Sequence, residues 1–234
     1  YFAPTSGECG DNLTWKYSNN TLTISGTGDM WDYSLSNVPW ADLCGQIRTI
    51  SLPSALTSIS KYAFFACTEI TSITLPSSLR KIGENAFMYC QNLSSVTIPD
   101  RVSYIGNNAF EGCINLQHIS IGRGVTDMGH STYWDNQIFR NCSKLTSIEW
   151  NAEDCPDWME KENSPFYLIA SQITSFKFGE RVEYIPAFLC YEMKKISSVK
   201  LPATLTNIGE SAFESCERLT SLVIPDEVIS LGKW

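Results

Sequence analysis

The chain is short of positive charge, and that shortage removes several classes of partner at once. Lys and Arg number 17 against 25 Asp and Glu, a formal net charge of −8. A surface that neutralises nucleic-acid phosphates or anionic lipid needs a basic excess, so neither partner is expected. Histidine is scarcer still, with His118 and His130 standing twelve residues apart. Without a C-x-x-C pair beside them there is no zinc ligand set, and neither metal nor cofactor is expected. Long apolar runs are missing too, since a bilayer span needs roughly 20 such residues in a row. Neither a G-x-S-x-G elbow nor H-E-x-x-H occurs, and paired carboxylates such as Glu153 and Asp154 read as solvated loop charge. Nothing here has the basic, apolar, small-residue order of a signal peptide, and the start at Tyr1 suggests a mature or trimmed chain.

What is present is a repeat. Proline follows an aliphatic residue at Leu52-Pro53, Leu75-Pro76, Ile98-Pro99, Leu201-Pro202 and Ile224-Pro225, the first three prolines and the last two being 23 apart. Ala-Phe pairs recur at Ala63-Phe64, Ala86-Phe87, Ala109-Phe110 and Ala212-Phe213, each followed three residues later by cysteine. The unit reads C-x-x-L-x-x-I-x-I-P-x-x-V-x-x-I-G-x-x-A-F-x-x. Its cysteine position falls at Cys44, Cys67, Cys90, Cys113, Cys142, Ala170, Met193 and Cys216, giving eight rungs in register.

Physical chemistry assigns each part. L-x-x-I-x-I alternates apolar and polar residues as a strand buried on one face does, and the proline ends it by removing a donor. V-x-x-I-G is a second short extended segment, and A-F-x-x-C a tight return of 3₁₀ character. One unit cannot bury its own apolar side, so stacked units share a core. The expected fold is a leucine-rich-repeat solenoid, a β-rich α/β superhelix. At ~4.8 Å per strand its concave parallel sheet would run about 34 Å over eight rungs. Residues pointing out of that sheet include Ser95, Thr97, His118, Ser120, Ser147, Glu149, Ser175, Lys177, Ser198 and Lys200. Residues 1–43 form a separate unit. Leu13–Tyr17 and Thr21–Ile24 alternate around Ser18-Asn19-Asn20, a hairpin signature suited to capping the open end of residues 44–234.

The unit resembles the BspA-type leucine-rich repeats of bacterial surface and secreted proteins. The opening Cys9-Gly10-Asp11-Asn12-Leu13-Thr14-Trp15, then Leu22–Gly28 and Pro39-Trp40, resembles the cap before such arrays. That resemblance implies a bacterial cell-surface or secreted location and, for some members, adhesion to host matrix proteins or other cells. A non-enzymatic module binding such a protein is therefore expected. The alternatives are a spacer projecting another domain, or a glycan-binding module. The last unit stops short of its Ala-Phe, as though more repeats or an anchor follow.

Nine cysteines raise the question of disulfides. Six share one rung position, where about 4.8 Å between stacked side chains exceeds the roughly 3.5–4.5 Å between disulfide Cβ atoms. A buried ladder of free thiols is expected, with Cys9, Cys155 and Cys190 left without an obvious partner. The period is broken twice, near 130–136 and 151–165. Neighbouring insertions place loops side by side, so Tyr133, Trp134 and Trp158 are candidates for a ligand platform, or else fold back over the core. On the concave face the candidates are His118, Glu149, Lys177 and Lys200. Cys113 and His118, though close in sequence, are sent to opposite sides by the repeat, and no catalytic pair is expected.

Overall fold

The computed structural model describes residues 4–129 and 136–233. At the N-terminal end β1 (Ser6–Gly10), β2 (Leu13–Ser18) and β3 (Thr21–Asp29) pair antiparallel. Asn19 and Asn20 turn the second hairpin with φ of 49° and 58°, a region in which asparagine is several-fold enriched. β3 then crosses from antiparallel to parallel pairing. Its first residues pair with β4 (Thr49–Ser51) and its last with β5 (Ala55–Ile59). Gly26 lies between the two halves at φ 113°, where a side chain would also run into the backbone of Asn12.

From there the 23-residue unit builds two parallel ladders. The V-x-x-I-G segments supply β5, β6 (Lys81–Ile82), β8 (Tyr104–Ile105) and β10 (Asp127–Met128), which continue the sheet begun by β3. A second group of the same kind, β13 (Tyr184–Ile185), β14 (Asn207–Ile208) and β15 (Ser230–Leu231), forms its own sheet. The L-x-x-I-x-I segments supply β7 (Ser95–Thr97), β9 (His118–Ile121), β11 (Ser147–Trp150) and β12 (Ser175–Phe178). This sheet, the one expected on the concave face, has four strands, fewer than the eight rungs expected. Residues 72–74, 198–200 and 221–223 occupy the same repeat position without strand pairing. The apolar period sets which side chain faces inward; it does not set the backbone spacing that a hydrogen bond requires.

The returns also differ from expectation. Short 3₁₀ segments occur at Ala41–Leu43, Lys161–Asn163 and Tyr167–Gln172, but the Ala-Phe returns are successive turns broken by left-handed residues. Tyr62, Asn85, Asn108, Phe188 and Ser211 have positive φ before the buried pair, and Ala66, Tyr89, Gly112, Asn141, Glu192 and Ser215 have it after. Reversing the chain at these points turns alternate N–H groups toward the next rung. Phe64 N thus donates to Ala86 O at 2.8 Å, and Phe87 N to Ala109 O at 2.8 Å. Each return is hydrogen-bonded along the array, which a helix, satisfying its donors internally, cannot do.

Inside, one aromatic stack runs the length of the array. Trp40, Phe64, Phe87, Phe110, Phe139 and Phe166 follow one another at centroid distances of 5.3–6.1 Å. Cys190, left without a role by its position in the sequence, occupies the next Phe place. Phe176 and Phe178, standing where most other rungs have smaller aliphatic residues and the neighbouring rung has Ile148 and Trp150, carry the ring contacts from Phe166 past it to Phe213. A small residue on the return is thus compensated by two large ones on the strand.

The cysteine ladder needs one correction. Cys44 and Cys67, 23 residues apart, are joined as a disulfide with Cα atoms 4.2 Å apart, closer than the strand spacing assumed for stacked rungs. Cys90, Cys113, Cys142 and Cys216 are free and buried, as are Cys9, Cys155 and Cys190. The Sγ atoms of the four free ladder cysteines donate to carbonyls one rung back, Cys90 to Phe64 O and Cys113 to Phe87 O each at 3.2 Å. Burial pushes the thiols of Cys9 and Cys216 up to about 11 and that of Cys155 to about 12. The native protein is therefore expected to be nearly silent to a thiol-disulfide reagent at pH 8. Unfolded in urea without reductant it should release the seven free thiols, and after reduction all nine cysteines. Nine before reduction would show that Cys44 and Cys67 are not bonded.

Candidate functional site

Side chains alternate across a strand, so Val96, Ile119, Ile148 and Phe176 enter the core while their neighbours point away from it. Pairing aligns those neighbours in two columns. One holds Ser95, His118, Ser147 and Ser175; the other holds Thr97, Ser120, Glu149 and Lys177. In the first, His118 Nδ1 lies 3.0 Å from Ser147 Oγ. In the second, Lys177 Nζ lies 3.4 Å from Glu149 Oε1, an exposed pair worth at most about 1 kcal/mol. Three of the four concave candidates, His118, Glu149 and Lys177, are thus brought together by strand register. Lys200 is exposed on the unpaired stretch further along. A hydroxyl beside an imidazole is half of a nucleophilic arrangement. However, among the described residues no carboxylate bonds the other nitrogen of His118, and Glu149 is engaged by Lys177. Nor, among the described residues, do three His, Cys, Asp or Glu side chains converge as a metal site would require.

Beside the columns lies an open groove of about 660 Å³. Ser72, Thr74, Ser95, Thr97 and Ser120 line it with hydroxyls, together with Asp100, Arg101, Arg123 and Asn151. Arg123 is held from both sides: its Nε is 2.8 Å from Asp100 Oδ2 and its guanidinium 3.9 Å from Glu153 Oε1. The Arg123 backbone N–H also donates to Asp100 Oδ1 at 3.1 Å. That hydrogen bond first, and the guanidinium second, hold the Asp100 carboxyl below the usual carboxylate range. Asn151 donates to Ser120 Oγ at 3.3 Å and Ile121 O at 3.0 Å, covering Ser120. These charged residues escaped the sequence reading because they fall on the variable positions after the proline. Asp100 and Arg123 nevertheless stand one period apart with opposite charge, and comparing variable positions rung by rung would have revealed the pair.

Of the proposed aromatic platform, Tyr133 and Trp134 lie outside the described residues. Trp158 is only 4% exposed and packs edge-on against Trp150 at 6.2 Å, so it offers no ring face to a ligand. Its segment fills the rung that lacks V-x-x-I-G. The Asp157 carboxylate there accepts from Tyr184 OH and, at 2.6 Å, from Ala187 N. Lys161 Nζ bonds Tyr191 OH at 3.3 Å and lies over the rings of Tyr167 and Tyr191. A segment tied at both ends over an open core has a structural task, and this takes Trp158 out of any ligand platform.

The sequence matches a known family model, the BspA type leucine-rich repeat region, over residues 40–153 and 132–234. The chain belongs to this family. No curated protein matches it. Among solved structures it is similar to a leucine-rich repeat protein from Eubacterium ventriosum, at 17% identity and a TM-score of 0.47, covering 97% of this chain and 92% of that one. A Treponema pallidum leucine-rich repeat protein shares 19% identity at a TM-score of 0.43, over 97% and 86% of the two chains. A leucine-rich cell-surface protein of Faecalibacterium prausnitzii shares 15% at a TM-score of 0.29, over 99% and 95%. Among the described residues of this BspA-type array, no helix is long and apolar enough to cross a membrane.

Proposed function

We propose that this array is a non-enzymatic recognition module of a bacterial secreted or cell-surface protein, holding a host matrix or cell-surface protein against its concave face. The observation that carries this reading is the pair of polar columns held in register by β7, β9, β11 and β12. Hydroxyl, imidazole, carboxylate and ammonium groups are displayed there on a hydrogen-bonded sheet, so little ordering is left for a partner to impose. Membership of a family of protein-interaction repeats supports the same reading. Residues 1–43, whose last strand β3 continues through β5 into the ladder of V-x-x-I-G segments, act as the cap of the array.

The test is label-free binding to immobilised matrix proteins and glycans, with the double variant Ser95→Lys/Ser147→Lys run beside the native chain. Loss of at least tenfold in affinity for a protein ligand, about 1.4 kcal/mol, is expected with the circular dichroism unchanged. Binding to glycans alone would replace the protein partner with a sugar. Binding to nothing would favour a spacer that projects other domains.

A further inference from the structure

Two pairs of aromatic rings stand on the returns at the same place in the repeat. Tyr62 precedes the buried Ala63-Phe64 and Phe65 follows it; Phe188 and Tyr191 flank Leu189-Cys190 in the same way. Tyr62 and Phe188 both have positive φ, 59° and 62°. Their rings meet those of Phe65 and Tyr191 edge-on, each pair at 6.0 Å, with interplanar angles of 63° and 72°. The same local backbone therefore builds the same two-ring corner twice.

The second corner is filled by the chain itself. Lys161 Nζ lies 5.1 Å from the centre of the Tyr191 ring and 5.9 Å from that of Tyr167, and it bonds Tyr191 OH at 3.3 Å. At the first corner a pocket of about 260 Å³ stands open, lined by Tyr62 and Phe65 together with Leu35, Val38 and Asp42. Phe65 lacks the hydroxyl that Tyr191 offers, but Asp42 brings a carboxylate to the same pocket. Asp42 is exposed and, among the described residues, has neither an ion pair nor a hydrogen bond. No Lys or Arg lines the pocket, and Lys61, next to Tyr62 in the sequence, is taken by Glu84 at 3.2 Å. The pocket's one charge is thus negative, and its rings are of the kind whose faces attract a cation.

We infer that this pocket receives a lysine side chain of a partner polypeptide, as its counterpart receives Lys161. The ammonium would lie against the rings of Tyr62 and Phe65 and pair with Asp42, while Leu35 and Val38 would cover the methylene stem. The chain's −8 charge favours the approach of such a cation. The pocket shares no residue with the concave columns, so this second contact surface stands independently of the recognition reading above.

The probes are glycine–X–glycine tripeptides blocked at both ends, with lysine, norleucine or glutamate as X, titrated into the chain with isotope-labelled methyl groups and followed by NMR. The lysine peptide is expected to move the methyl signals of Leu35, Val38 and Ala66, which line the pocket. It should bind about fivefold more tightly than the norleucine peptide, with the glutamate peptide weakest. Asp42→Asn and Phe65→Leu should each remove most of that preference, the other methyl signals staying in place to show an intact fold. Asp226→Asn, an exposed carboxylate on the last rung, should leave the preference unchanged. Equal binding of the lysine and norleucine peptides would make the pocket a merely apolar contact and overturns the inference. A lysine preference that survives both pocket variants, or no shift with any peptide, overturns it as well.

Discussion

Phe110→Ala is expected to lower the unfolding free energy by about 4 kcal/mol, among the largest losses any single side chain here can produce. Phe110 is fully buried between Phe87, parallel to it within 1° at 5.4 Å, and Phe139 at 5.9 Å. Truncation removes the ring and leaves a cavity whose walls are two other rings. Those rings sit on returns whose backbones are bonded to their neighbours, Phe87 N to Ala109 O and Phe110 N to Ile138 O, so they cannot close the gap. Position in the array adds a second effect. Each rung contacts only its neighbours, so a weak central interface lets the two halves unfold separately. Urea denaturation followed by circular dichroism should show an earlier midpoint and a shallower transition. Met159→Ala, at a side chain 90% exposed, should leave both unchanged. A Phe110→Ala midpoint within error of the native one would mean that the stack does not hold the array together.

Much of this was readable from the spacing of a few residue types, and the reason is physical. Ile105, Val102, Phe110 and Cys113 recur because every rung buries the same positions against the one before, so burial leaves a fixed period in the sequence. Events between rungs leave a fainter trace. Ser72-Ile73-Thr74 and Ser95-Val96-Thr97 have the same alternation, yet only the second forms a strand, because pairing depends on backbone separation. The left-handed residues of the returns are as varied as Tyr62, Asn85 and Phe188, so no residue type announces the conformation. Cys44 and Cys67 bond because their Cα atoms stand 4.2 Å apart, a local compression that an average strand spacing conceals. For the candidate site, the outward columns could be read from alternation alone. The ring of Trp158 could not be placed, because its segment has no counterpart in the other rungs and its burial follows from the rung it replaces.

Glycine shows the same division between what a residue type reveals and what its neighbours decide, and it yields a sharp prediction. Gly83, Gly106, Gly129, Gly209 and Gly232 close the V-x-x-I-G segments, which invites the reading that a turn there needs positive φ; Gly129, before the first insertion, has it at 63°, and the other four stand apart. None of the four has it. They are required by closeness instead. Gly106 N donates to Ile82 O at 2.9 Å and Gly83 N to Ile59 O at 2.8 Å, drawing each rung against the one before. A methyl group on Gly83 would stand 2.5 Å from Lys61 N, and one on Gly106 would overlap the backbone of Glu84. Backbone cannot swing aside as a side chain can. Gly106→Ala is therefore expected to cost about 3 kcal/mol, at the upper end for overpacking, by prising β8 from β6. Gly45→Ala provides the contrast, since a methyl there meets nothing within 4 Å and φ is not positive. That variant should be neutral, or more stable by a few tenths of a kcal/mol through the smaller entropy of its unfolded chain. Thermal unfolding of the two variants separates the explanations. Equal and small shifts would mean that the rungs are not in such close contact at Gly106. A large loss confined to Gly106→Ala would show that the interval between rungs, on which the concave columns depend for their register, is held by the missing side chain.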